Sequence, residues 1–249
     1  MAEVRRRRLA VLAQLAVFAA GFLTAITGFG FNALSLPLLA VAFEPHHAVV
    51  VGLLVGLLIF ALVLLLPGVR HAVDSRLVWT LFAWSLLGLP LGARILVLLD
   101  DRALRLVIGG LTFLYAAGQL TGVLPTLRAS RRASPYVGVL SGVLSSSVSM
   151  GGTPVIVYLI GLGGEPRDLR ATAVAYVVLS TIGSLVVLFW TGLVDRAALL
   201  DAVGLSPAAV AGFALGALTF RYVSRDLFLR LTLVLLAATG AVALGAGLR

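Results

Sequence analysis

The chain has 249 residues, 61% of them hydrophobic and only 12% charged, with a mean hydropathy of +1.12; one soluble core cannot hide that much apolar surface, so lipid is its natural solvent. The net charge of +9 reflects basic residues that are all arginine, and these stand mainly at the ends of apolar runs, which speaks against nucleic acid and for headgroup anchoring and topology. With no cysteine, disulfides, thiolate nucleophiles, Cys-ligated zinc and iron–sulfur clusters are excluded, and nothing calls for a metal or cofactor.

At the N-terminus Arg5–Arg8 precede an apolar stretch ending in Val17-Phe18-Ala19, a pattern that a secretory signal also shows. The apolar character continues past Ala20, which favours a retained first helix. Residues 9–43 are apolar but interrupted by Gly and Pro. As one continuous helix they would measure about 50 Å at ~1.5 Å per residue, too long for one ordinary crossing of about 30 Å. A bend is expected at the Gly-rich centre, in Thr27-Gly28-Phe29-Gly30-Phe31-Asn32-Ala33-Leu34-Ser35-Leu36-Pro37. Three plain spans follow at 48–66, 77–98 and 104–124. An Arg-bearing linker, 126–134, then leads to a second interrupted stretch, 135–162, with Ser145-Ser146-Ser147-Val148-Ser149-Met150-Gly151-Gly152-Thr153-Pro154 at its centre. Three further plain spans complete the chain at 171–191, 198–220 and 227–246. The expected fold is an all-α polytopic membrane protein.

The second half repeats the first. Gly21 precedes Pro37 by the same sixteen residues that separate Gly138 from Pro154; Glu44-Pro45 is answered by Glu165-Pro166, Val73-Asp74 by Val194-Asp195, and Gly88–Ala93 by Gly212–Ala217. Five pairs in one order point to duplication. The expected domains are an N-terminal transmembrane repeat (1–125), the linker (126–134) and a C-terminal repeat (135–249), each repeat a re-entrant broken segment followed by three helices. The glycines at four-residue spacing, Gly52/Gly56, Gly88/Gly92 and Gly212/Gly216, read as close helix packing.

Non-helical backbone at membrane depth survives only where protein buries it or it lines a watery cavity. Two such interruptions at equivalent places are a pointer to a transporter's substrate site, and half-helix N-termini suit an anion. The expected site is therefore Thr27, Gly28, Gly30, Asn32, Ser35 and Pro37 from the first break with Ser146, Ser147, Ser149, Gly151, Gly152, Thr153 and Pro154 from the second. Any one of these hydroxyls could instead bond the preceding turn. Carboxylates deep in a membrane mark cation and proton paths, but all the acids here fall near helix ends or in the tail, which disfavours a cation pump. His46, His47 and His71 lie in connecting segments, so an intramembrane serine hydrolase lacks its base. If the anion lies elsewhere, Arg94 and Arg170 are the next candidates.

An early Gly, a Gly-rich turn, a Pro-led apolar stretch, a Val-Asp and a G-x-x-x-G-A together resemble the repeat of the sulfite exporter TauE/SafE family, also called toluene sulfonate uptake permeases. The matching residues are Gly21, Gly28, Gly30, Pro37, Val73-Asp74 and Gly88–Ala93, then Gly138, Gly151, Gly152, Pro154, Val194-Asp195 and Gly212–Ala217. Phe31-Asn32-Ala33 and Ser145–Ser147 stand where similar members often carry glycines. The resemblance implies a multi-pass protein of the cell (inner) membrane and secondary transport of sulfite or an organosulfonate, usually outward and commonly linked to protons. An accessory or scaffolding membrane subunit is the alternative. Re-entrant segments would make the repeats inverted, full crossings parallel; the arginine distribution does not decide between them.

Overall fold

The computed structural model describes residues 2–28, 30–66, 69, 72–121, 129–219 and 225–247. Phe29, His71 and the start of the expected linker, Thr126–Arg128, lie outside them. Among the described residues every regular element is helical: α1 (Ala2–Thr27), α2 (Phe31–Ala42), α3 (Pro45–Leu65), α4 (Ser75–Leu98), α5 (Asp101–Leu120), α6 (Ser134–Val148), α7 (Gly152–Leu162), α8 (Pro166–Trp190), α9 (Arg196–Thr219) and α10 (Arg225–Gly247).

The chain's punctuation explains these limits. Pro45 and Pro166 open α3 and α8 in the first turn, where a missing N–H costs nothing. The Val-Asp pairs are N-caps: Asp74 Oδ1 accepts from the Leu77 N–H at 3.0 Å and Asp195 Oδ1 from the Ala198 N–H at 2.7 Å, while Asp100 caps α5 in the same way. At the first break α1 stops at Gly28 (φ +84) and α2 restarts after Gly30 (φ +90). At the second, α6 stops at Ser149 (φ +55), with the Ser149 N–H donating to Ser145 O and the Met150 N–H to Leu144 O, a left-handed helix cap of the kind glycine usually makes.

Six helices among the described residues are long and apolar enough to cross a membrane: α1 from Arg7, α3, α4, α5, α8 and α9. The first interrupted segment is thus divided unevenly, a full-length α1 followed by a half-length α2. α2 and α7, at 12 and 11 residues, reach only about 16–18 Å, well short of the ~30 Å hydrocarbon layer. α2 is nevertheless buried almost all round, from Phe31 to Ala40, and sits with α3 at the centre of the bundle. The exposed apolar side chains, among them Trp79, Leu87, Leu98, Trp190 and Leu218, ring the outside on α4, α8 and α9.

Bare backbone brings helices together where apolar side chains gain nothing by leaving lipid. Gly88 and Gly92 of α4 press on the carbonyls of Val139 and Val143 in α6; likewise Gly212 and Gly216 of α9 press on those of Phe18 and Phe22 in α1. α4 therefore lies along α6 in the way that α9 lies along α1, each pair parallel. α5 and α10 face each other antiparallel, Gly109 near Leu244 and Phe113 near Gly240. α7 doubles back along α6: Tyr158 Oη lies 2.8 Å from Ser134 Oγ, and the Ala129 N–H donates to Gly161 O at 3.0 Å.

The sixteen-residue Gly–Pro spacing does not carry over into the fold. Pro37 is the seventh residue of α2, inside the helix, whereas Pro154 is the third residue of α7. One constant interval instead relates Gly28 to Ser149, Gly30 to Gly151, Glu44 to Glu165 and Asp74 to Asp195, and it sets Pro37 against Tyr158. The breaks lie at the glycines and at Ser149; neither proline makes one.

Candidate functional site

The two breaks meet at the centre of the bundle on α3. Asn32, in the first turn of α2, and Ser149, at the end of α6, are 6% and 4% exposed. A methyl placed on Gly52 of α3 would stand 3.8 Å from Asn32 Oδ1 and 3.9 Å from Ser149 Oγ; one on Gly56 would press into the Asn32 amide at 2.7 Å. The small face of α3 thus makes room for polar groups from both breaks, a role beyond the helix packing expected of these glycines.

Three buried side-chain atoms among the described residues have no hydrogen-bond partner: Asn32 Oδ1, Ser149 Oγ and Arg170 Nε. All three sit at the breaks. A buried, unpaired polar group costs about 1–3 kcal/mol, so the two that come together over Gly52, Asn32 Oδ1 and Ser149 Oγ, require an explanation. The ends of the Asn32 amide are interchangeable in shape, and a flip presents its NH₂ where Oδ1 now stands. Arg170, near the start of α8, lies over the bare Cα of Gly28, and its Nη2 donates to Ala25 O at 3.1 Å, capping the end of α1. Arg94 is exposed and takes no part.

The other expected residues divide sharply. Thr27 Oγ1 donates to Leu23 O, Ser35 Oγ to Phe31 O and Ser147 Oγ to Val143 O, while Ser146 Oγ donates to Leu89 O at 2.6 Å with Gly142 O as a second acceptor. A hydroxyl whose single proton serves a carbonyl has none left for an anion, so these four pack and brace helices rather than offer donors. Pro37 is buried within α2. Gly30 opens onto free space. At the second break Gly151 is wedged against Ser145 Cβ and Ser141 O, while a methyl on Gly152 would meet Val177 Cγ2 at 2.8 Å. No described acceptor faces the Gly151 and Gly152 N–H groups, and Pro154 has no N–H; Thr153 N–H donates to Met150 O.

A buried hydroxyl network braces this second break. Tyr176 Oη donates to Ser141 Oγ, which donates to Gly151 O, and the hydroxyls of Ser180 and Ser184 of α8 both hydrogen-bond Ser145 Oγ, that of Ser184 also lying 2.9 Å from Ser180 O. The serine run signalled it only in part, since Tyr176, Ser180 and Ser184 lie one to two turns apart on a distant helix.

Among the described residues, two cavities lie away from the breaks, and neither is lined by a break residue. One, of about 610 Å³, opens at the α6–α7 base and carries Asp74, Arg131, Glu165, Asp168 and Thr172. The other, of about 310 Å³, is an apolar groove between α3 and α8, lined by Leu54, Leu57, Ile182 and Phe189. Chemically the breaks offer, among the described residues, an amide and a hydroxyl beside Gly52, helix N-termini and, over Gly28, a guanidinium. That is an inventory of donors. A family model described as Sulfite exporter TauE/SafE matches residues 13–243. No curated protein and no solved structure matches significantly.

Proposed function

The chain belongs to the sulfite exporter TauE/SafE family of membrane transporters for sulfite-type anions, and from that premise we propose that it is a secondary transporter that carries sulfite or a small organosulfonate across the cell (inner) membrane, holding it where the breaks meet. The observation that carries this reading is the pair of buried, unpartnered groups, Asn32 Oδ1 and Ser149 Oγ, on either side of the bare Gly52. An anion between them would take hydrogen bonds from the amide, the hydroxyl and the Gly151 and Gly152 N–H groups, with the Arg170 guanidinium nearby as counter-charge.

We further read the halves as inverted repeats with half-length, re-entrant α2 and α7. Support comes from the antiparallel α5–α10 pair, the parallel α4–α6 and α9–α1 pairs, and the return of α7 along α6. Such an arrangement gives two opposed gates around one central site, as alternating access requires. The same reading takes transport to run outward and to be linked to the proton gradient, as the family resemblance implies.

Gly52→Ala tests it. The added methyl has ordinary contacts of 3.8–3.9 Å, so the fold should tolerate it while the seat between the two polar groups is filled. Uptake of sulfite and of a simple alkanesulfonate into liposomes should fall at least about tenfold, which is about 1.4 kcal/mol, with an unchanged elution profile. Wild-type flux from Gly52→Ala would remove the site from this position.

A further inference from the structure

Two imidazoles stand side by side at the start of α3, each held by a carboxylate from a different helix. His46 Nδ1 lies 3.1 Å from Asp101 Oδ1, in the first turn of α5, and its Nε2 lies 3.1 Å from the carbonyl oxygen of Leu99, the residue that ends α4. His47 Nε2 lies 2.8 Å from Asp201 Oδ2 on α9, with its ring 5.4 Å from that of Phe43. A carbonyl and a carboxylate only accept, and a neutral imidazole carries one N–H. His46 can satisfy both partners only as the doubly protonated cation.

Two carboxylates thus face this turn of α3, Asp101 of α5 on His46 and Asp201 of α9 on His47. Among the described residues, charged groups beside the pair include Arg105, whose Nη2 is 4.0 Å from Asp101 and whose Nε donates to Ala40 O at the end of α2, Arg102, whose Nε donates to Gly247 O of α10, and the exposed Glu44 ahead of α3. Asp100 is committed to the α5 cap; α2 and α4 bring a ring and a carbonyl. At the start of α8 the matching Glu165-Pro166 is followed by Arg167 and Asp168, so the equivalent turn of that helix carries no imidazole pair.

We propose that the His46–Asp101 and His47–Asp201 pairs form a proton-binding latch that clamps the N-terminal end of α3 to α5 and α9 when the imidazoles are charged and loosens when they are neutral, because His46 then gives up one of its two acceptors and each pair keeps a hydrogen bond without the opposing charges. α3 is the helix that carries Gly52 and Gly56, less than three turns further along, so the latch governs the element on which the two breaks meet. It rests on side-chain geometry alone and stands whether or not the anion site does.

A chain without cysteine allows a direct test in the full-length protein reconstituted in lipid. Ala202→Cys places a thiol beside Asp201, where the native side chain is 6% exposed; Leu199→Cys, at a position 47% exposed on the same helix, reports the ordinary effect of pH on thiol reactivity. Maleimide labelling is measured at about pH 5.5 and about pH 8.5, on either side of the ordinary imidazole range. The labelling rate at 202 relative to 199 should rise at least about tenfold at the higher pH. Adding His46→Gln with His47→Gln, which keeps a donor but no titratable charge, should abolish the rise. Asp101→Asn with Asp201→Asn should do the same and decides the matter if the histidine variants do not fold. A ratio that does not change with pH in the parent, or a full pH response surviving in either double variant, overturns the latch.

Discussion

Ser149→Gly should make the protein more stable and a poorer anion binder at once. Ser149 is the one non-glycine at positive φ among the described residues, at +55, a conformation that costs an L-residue roughly 1–2 kcal/mol. Its buried, unpartnered hydroxyl costs about 1–3 kcal/mol more. Glycine removes both costs and returns about 0.5–1 kcal/mol through its freer unfolded chain, leaving a net gain of a few kcal/mol. For a chain of this size each kcal/mol moves Tm by about 2–4 °C, so thermal unfolding in detergent should shift up by several degrees. If the hydroxyl is there to donate to an anion, its loss should weaken sulfite or alkanesulfonate binding by about 5- to 150-fold, the equivalent of ~1–3 kcal/mol, read by calorimetry on the same preparation. Ser149→Ala separates the contributions: it loses the hydroxyl and the affinity but keeps the left-handed strain and gains less stability. Wild-type affinity in both variants would refute a binding role for Ser149, and a lower Tm in Ser149→Gly would refute the strain argument.

Arg170→Met should lower anion affinity more than tenfold by removing the guanidinium at Gly28, while Arg170→Lys, which keeps the charge but loses the planar fork, should fall between it and wild type in the same titration. Gly92→Val would drive a branched side chain into the Val143 carbonyl and the Ser146 hydroxyl; backbone cannot yield there, so about 3 kcal/mol or more should be lost and the purified protein should aggregate on size exclusion. Asp195→Ala removes the α9 cap and should cost about 0.5–2 kcal/mol, a modest drop in Tm with transport retained. Gly56→Ala presses on the Asn32 amide and should depress flux at least as much as Gly52→Ala; unlike that variant it should also lower Tm.

The class of the protein was legible in its residues. The transfer free energy of apolar side chains sums along the chain without reference to neighbours, so composition and run length locate lipid-spanning helices directly, and Pro45, Pro166, Asp74 and Asp195 mark their starts because capping is local chemistry. The breaks at Gly28–Gly30 and Ser149–Gly151 were visible for the same reason. The shared Gly–Pro spacing did not place the prolines alike: Pro37 lies inside α2 and Pro154 in the first turn of α7, since proline is tolerated both in a first turn and inside a helix that tertiary packing supports.

Which of those residues have chemistry to offer was decided by the tertiary structure. Thr27, Ser35, Ser146 and Ser147 look the same as Ser149 in sequence, but a proton in a water-poor interior goes to whichever acceptor lies within about 3 Å. For those four it is a helix carbonyl; for Ser149, turned out of α6 by its left-handed backbone, there is none. Arg170 reads along the chain as an interfacial anchor, and only the packing of α8 across the end of α1 brings it over Gly28. Sequence determines the solvent and the local punctuation because both are sums of short-range terms; the unpartnered polar atoms that make a site exist only as distances between helices far apart in the chain.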